Sequence, residues 1–213
     1  MRASWWRELS LRSSALCFRR CLAAALFCLG FATFAEAHPH VFADVSIKIV
    51  YDQAGFSGIR NHWVFDEIYS AGMVASVDKN DDGKLSREEG RGLESAILGP
   101  LEKNNYYNYV QAGSAFLKVR RISGFEASLV KGKLVLDFVA EFSKPAESDW
   151  TMLVVVVADP TNYIQMTSDM ENADVESPAS IEVEYFADAL EGLTLFRAFR
   201  SEIEGLYLRY KKK

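Results

Sequence analysis

His40-Val41-Phe42-Ala43-Asp44-Val45-Ser46-Ile47-Lys48-Ile49-Val50 sets Val41, Ala43, Val45, Ile47 and Ile49 at odd positions and His40, Phe42, Asp44, Ser46 and Lys48 at even ones. A period of two sends alternate side chains to opposite faces, so this stretch is predicted to be a strand with one buried face. Asp52-Gln53-Ala54-Gly55 then reads as a turn, and Ile59, Asn61, Trp63 and Phe65 alternate against Gly58, Arg60, His62 and Val64, which predicts a hairpin. The register that buries Val45, Ile47, Ile49, Ile59 and Trp63 together sets His62 opposite Asp44 and on the polar face that carries His40. A slip of one residue would send His62 to the other face.

Towards the C-terminus, VFDEIYSAGMVASV (residues 64–77) has a helical pattern and leads into a polar loop. Beyond it Ser86 and Glu89 form a capping-box signature, and the exit helix is expected to run to about Leu98, where Gly99-Pro100 stops it. Phe116 to Ile122, Phe125 to Val130 and Leu134 to Phe142 read as strands, with Lys131-Gly132 as the tight turn between the last two. Met152 to Val157 is a continuous apolar run expected to be a strand buried on both faces, ended by Asp159-Pro160. The acidic segment from Ser168 to Ser180 is expected to be a loop, and Ile181 to Phe186 a last strand. The expected fold is α+β: a mainly antiparallel sheet with an inserted EF-hand-like helix-loop-helix over about 65–98.

Towards the N-terminus, five arginines (Arg2, Arg7, Arg12, Arg19 and Arg20) precede the uncharged run CLAAALFCLGFATFA, from Cys21 to Ala35, and Ala35-Glu36-Ala37 closes it. Basic stretch, apolar core and small-x-small ending together read as a cleaved secretory signal over 1–37, and the run is shorter than the roughly 20 residues a membrane-spanning helix needs. Cleavage after Ala37 makes 38–213 a single metal-binding domain. It takes five of the 24 basic and two of the 29 acidic residues from the chain of 213 and leaves 176 residues with a net charge of −8. All three cysteines, Cys17, Cys21 and Cys28, go with the leader, so the exported protein has no disulfide although its compartment permits one. Acidity argues against a phosphate-backbone partner, because nucleic-acid binding calls for a basic patch. The basic cluster Lys211 to Lys213 reads as a solvated tail. With no cysteine nucleophile, no G-x-S-x-G and no phosphate-cradling glycine loop, the chain does not read as an enzyme.

The twelve residues from Asp78 to Glu89 fit a calcium-binding loop of the EF-hand pattern at each informative position. Asp78, Asn80 and Asp82 supply side-chain oxygens, Lys84 its carbonyl, Ser86 a direct or water-bridged oxygen and Glu89 a bidentate carboxylate. Gly83 permits the sharp turn and Leu85 is the apolar anchor. Such a lone loop in an exported protein is expected to hold Ca2+ as a structural staple, with affinity in the roughly 10⁻⁴ to 10⁻³ M range of extracellular modules.

The three histidines, His38, His40 and His62, fall within the first 25 residues after the expected cleavage site. His38 would be the new N-terminus, its amine and imidazole both available to metal. Pro39 has no amide proton, which blocks the copper mode that needs deprotonated amides at positions two and three. Two or three imidazoles with the Asp44 carboxylate suit Zn2+, with Ni2+ or Co2+ as alternatives. A frayed, solvated terminus is the competing reading, and Asp66 and Glu67 are rival carboxylates that also suit a helix N-terminus.

His38-Pro39-His40-Val41, Trp63-Val64-Phe65-Asp66-Glu67, the Asp78 to Glu89 loop and Asp159-Pro160 together resemble the secreted metal-binding proteins of the ZevA type. That resemblance implies a periplasmic zinc-binding protein serving an inner-membrane metal permease of the NicO type, for nickel, cobalt or zinc. The chain departs from metal chaperones with long histidine-rich loops, having only three histidines. Two further functions stay open: a calcium-stabilised secreted interaction protein with no transition-metal role, and a copper enzyme built on an N-terminal histidine.

Overall fold

A computed structural model describes residues 40–190 and 203–213. The chain divides into two units, Met1–Ala37 and His38–Lys213, and all of the described residues belong to the second. The expected secretory signal and His38 therefore lie outside the described residues.

The alternating stretch forms strand β1, Val41–Tyr51, and its partner forms β2, Gly55–Phe65. Two short helices follow, α1 (Glu67–Val77) and α2 (Arg87–Leu93), then a π turn over Glu94–Leu98 and 3₁₀ turns across Gly99–Tyr107. The remaining elements are strands: β3 (Asn108–Ala112), β4 (Ala115–Leu117), β5 (Arg121–Val130), β6 (Lys133–Pro145), β7 (Thr151–Val157), β8 (Ile164–Ser168), β9 (Asp174–Glu176), β10 (Ile181–Ala189) and β11 (Glu204–Lys212). One sheet has the order β5-β6-β2-β1-β8, with β9 also on β1; the other has the order β10-β11-β7-β3-β4. Pairing is antiparallel except at β8 and β9, which run parallel to β1.

The odd positions of β1 point inward as the period requires, and Ile49, Ile59, Trp63 and Phe65 are fully buried. They share one core with Val110, Leu153, Val155, Leu206 and Leu208 of the second sheet. Aromatic rings join the two sheets at one end, where Tyr51 of β1 meets Tyr210 of β11 with ring centroids 4.9 Å apart. The turn into β2 needs glycine: Gly55 sits at φ +145°, and a Cβ there would lie 2.4 Å from the amide nitrogen of Ala146.

The expected α+β fold with an inserted EF-hand-like helix-loop-helix is overturned. The protein is mostly β, two sheets with mixed and antiparallel strands, and only two short α-helices occur among the described residues. The exit helix ends at Leu93 rather than near Leu98. Gly90 and Gly92 each weaken a helix by close to 1 kcal/mol relative to alanine, and the chain then widens into the π turn. A Cβ at Gly92 would make only ordinary contact with Val77 Cγ1, at 3.4 Å, so packing against the first helix does not require this glycine.

Several strand-level expectations also change. Phe116 to Ile122 is not one strand, because β4 ends at Leu117 and β5 begins at Arg121, and Ile181–Ala189 is not the last, because β11 follows it. The acidic segment after Ser168 is not all loop, because Asp174–Glu176 joins β1 in parallel and Lys48 pairs with Asp174 at 2.8 Å. Met152 is exposed, so β7 is buried on both faces only beyond Val154. Lys211 and Lys212 lie in β11 rather than in a solvated tail. Lys211 pairs with Glu182 across the strands at 3.3 Å and sits over the Trp150 ring.

Candidate metal-binding face and loop

The outer face of the first sheet carries the even positions of β1 and β2. The hairpin pairs Asp44 with Val64 and His62 with Ser46, two residues from the expected register, because the chain turns over Asp52–Gly55 and the register shifts between Val50 and Tyr51. The displacement is even, so Asp44 and His62 stay on the same face. On its other side His62 stands directly opposite Asp137 of β6, and Nδ1 lies 2.7 Å from Asp137 Oδ1, both side chains half-exposed. That bond engages one ring nitrogen and leaves Nε2 as the remaining donor atom.

The parallel strand β8 completes the site, since it sets Thr167 beside Asp44. Where the chain leaves β8, the Asp169 amide donates to the Val45 carbonyl at 3.2 Å. Asp44, Ser46, His62, Thr167 and Asp169 thereby line one shallow groove of about 340 Å³. The Asp169 carboxylate is steadied by the backbone and side-chain amides of Asn172.

His40 does not join this groove. It precedes β1 and packs its ring against Tyr163, centroids 5.5 Å apart. Six residues separate His40 from Ser46, the partner of His62, which is roughly 20 Å of strand. The structure thus brings Asp44 and His62 together and keeps His40 apart from them. Among the described residues no three of His, Cys, Asp and Glu are grouped closely enough to hold an ion as they stand.

In the Asp78–Glu89 loop the oxygens face the loop's own amides. Asp78 Oδ2 accepts from Gly83 N at 2.8 Å, Asp82 Oδ1 from Lys84 N at 2.9 Å, and Asn80 Oδ1 from Asp82 N at 3.3 Å. Glu89 ties the two ends of the loop, accepting from Lys79 N at 3.1 Å and Ser86 N at 2.8 Å, while Ser86 Oγ accepts in turn from Glu89 N. The capping box is therefore present as expected. The Ser86 hydroxyl and amide and the Lys79 amide hold the Glu89 carboxyl below the usual carboxylate range. Gly83 turns at φ +67°, as the loop pattern requires. The donor set is one of hard oxygens that suits Ca2+, and gathering it around an ion would exchange amide bonds for metal bonds.

Asp66, the rival carboxylate, is used structurally. It caps α1 by accepting from Tyr69 N at 2.9 Å and clamps β1 by accepting from Phe42 N at 2.9 Å. Glu67 occupies the first turn of α1, where its charge suits the helix dipole.

Asp137, Thr167 and Asp169 escaped the sequence reading. Asp137 was visible as a polar residue in the strand Leu134 to Phe142, but nothing local says that this strand pairs with β2. Thr167 and Asp169 carry no local signal, since a parallel neighbour arrives from more than 100 residues away.

A model of the family described as protein of unknown function (DUF1007) matches residues 23–186. No curated protein matches the chain. Among the described residues no helix is long and apolar enough to cross a membrane.

Proposed function

We infer a function for this chain, which belongs to the DUF1007 family, from the chemistry of its histidine-bearing face. The protein is a periplasmic accessory protein of the ZevA type that binds Zn2+, or Ni2+ or Co2+, and passes the ion to or from an inner-membrane permease. It also carries Ca2+ on the Asp78–Glu89 loop.

The observation that carries this reading is the His62–Asp137 bond at 2.7 Å beside Asp44 and Asp169. Metal-ligating histidines commonly donate their second ring N–H to a carboxylate, which fixes the tautomer and raises the basicity of the ligating nitrogen. In this role Asp137 orients the ring, His62 Nε2 and Asp44 are donors, and Asp169 adds negative charge. His40, just before β1, is a separate donor, and His38 is the second donor that the sequence supplies. Ligands must be deprotonated to bind, so affinity falls as pH drops through the imidazole range.

Titration calorimetry with Zn2+, Ni2+ and Co2+ on the purified protein tests the reading. Saturable binding of one of them is expected, weakened at least tenfold by His62→Ala. Absence of binding by all three ions ends the proposal.

A second reading, a calcium-stabilised secreted interaction protein with no transition-metal role, draws on the exposed apolar side chains of the second sheet, Met152, Tyr185 and Phe186. It expects the histidine variants to behave as the parent in the same titration.

A further inference from the structure

An open cavity lies on the second sheet, away from the histidine face. It is a cleft of about 770 Å³ between the 3₁₀ turns and the β3–β4 hairpin, within the several-hundred Å³ range of small-molecule sites. Lys103, Lys118 and Arg120 stand on its exposed rim, and Glu102 is the single carboxylate among the lining residues. Lys103 and Lys118 enter no ion pair among the described residues, while Arg120 acts on Glu141 from a distance. A surplus of two positive charges at one cleft is unexpected in a chain whose net charge is −5.

The walls are aromatic. Tyr109 and Phe116 meet edge to face with centroids 5.9 Å apart, and Tyr106 lines the same space. Burial, with Glu102 adding to it, raises the pKa of the Tyr106 phenol, which stays protonated.

The backbone that shapes the cleft is strained. Asn105, Tyr106 and Tyr107 all have positive φ, 54°, 53° and 58°, a conformation that bulky residues rarely adopt singly and that persists only where surroundings enforce it. The Asn105 side chain supplies the enforcement. Its amide group donates to the carbonyls of Asn108 and Leu117 at 2.6 and 3.1 Å, and its oxygen accepts from Val119 N at 2.8 Å. One side chain thus ties the strained turn to both strands and to the segment that presents Lys118 and Arg120.

We propose that this cleft binds a small organic anion of the arylcarboxylate class. The carboxylate meets the rim cations and the Tyr106 hydroxyl, and the ring lies against the aromatic lining of Tyr106, Tyr109 and Phe116. Cationic rim, phenol donor and aromatic wall are together complementary to that one chemistry. Either feature alone would suit a simple inorganic anion or an uncharged ring.

The probe pair is naphthalene-2-carboxylate and its neutral carboxamide, titrated into the purified protein and followed by backbone amide NMR shifts. The carboxylate is expected to bind saturably, to shift the amides of Leu117 to Arg120, and to bind at least about tenfold more tightly than the carboxamide. The Lys103→Gln/Lys118→Gln variant, which changes only exposed side chains, is expected to lose about tenfold in affinity while melting like the parent. Phe116→Ala gives a second, independent loss. Equal binding of the two probes, undiminished binding in Lys103→Gln/Lys118→Gln, or no saturation by about 10 mM would each overturn the proposal.

Discussion

At the scale of single residues, the groove on the first sheet depends on a division of labour between His62 and Asp137, which are hydrogen-bonded to one another. Asp137 is not among the residues that line the groove and meets His62 Nδ1 at 2.7 Å, so its proposed role is positioning. Asp137→Asn keeps the shape and a hydrogen-bonding atom but removes the charge that favours the ligating tautomer. Zinc affinity is expected to fall about 10- to 100-fold, the range for loss of an outer-shell partner. Its apparent pKa for zinc binding should also move, which a merely structural role would not produce. Calorimetry from pH 5 to 8 measures both, since neutral imidazole is the ligating form. An unchanged pH profile would leave Asp137 as a surface ion pair, which by itself is worth little.

At the scale of elements, the hairpin was legible because its period of two is enforced over a long stretch by burial of one face. Val41 to Ile49 and Ile59 to Phe65 left no other face to hide. The Gly83 turn and the Ser86–Glu89 capping box were legible for a different reason: both are set by local geometry alone. What the sequence hid was everything decided at a distance. Asp174-Val175-Glu176 is too short and too acidic to announce a strand, and becomes one because β1 offers a free edge and Lys48 a counter-charge. The 7-residue α2 looked longer because apolar residues continue to Leu98, yet their spacing serves a π turn. The proposed calcium role is tested at this scale. The loop oxygens now satisfy loop amides, so bound Ca2+ adds stability only by mass action. With a dissociation constant of about 1 mM, 10 mM Ca2+ should stabilise by about 1.4 kcal/mol. That appears in calorimetric scans as a rise of the melting temperature, absent with Mg2+ and abolished by Asp78→Ala or Glu89→Ala. No calcium-dependent shift in the parent would remove the calcium role.

At the scale of the whole molecule, the two sheets are held by a core with titratable groups at its margins, and these set opposite limits on the pH range of stability. On the acid side, burial alone would raise the Asp66 pKa, but the amides of Phe42, Tyr69 and Ile68 outweigh it and hold the carboxyl below its ordinary value. Glu89 is lowered by Ser86 and Lys79, Glu141 by Arg121 and Ser123, and Asp174 by Lys48. A folded pKa below the unfolded one means the folded state binds its proton later on acidification. The stabilisation is then complete above the ordinary carboxylate value of about 4 and is lost as pH falls through the lowered folded value. On the alkaline side the sign reverses. Burial, with Tyr163 and Asp66 adding to it, pushes the Tyr69 phenol up to about 12, and Tyr51 and Tyr210, packed together between the sheets, are raised by burial as well. A raised folded pKa gives stability that is whole below the unfolded value of about 10 and is lost as pH climbs past it, because each core phenol must ionise in an apolar setting. The urea midpoint, measured without metal, should therefore stay nearly level through neutrality, fall below about pH 4 and fall again above about pH 10. Tyr51→Phe separates the two limbs: it removes one core phenol, so the alkaline fall should become shallower while the acid limb stays as in the parent. If the alkaline limb in Tyr51→Phe matches the parent, Tyr51 is not among the groups that set it. A midpoint that rises on acidification would contradict the carboxylate assignment.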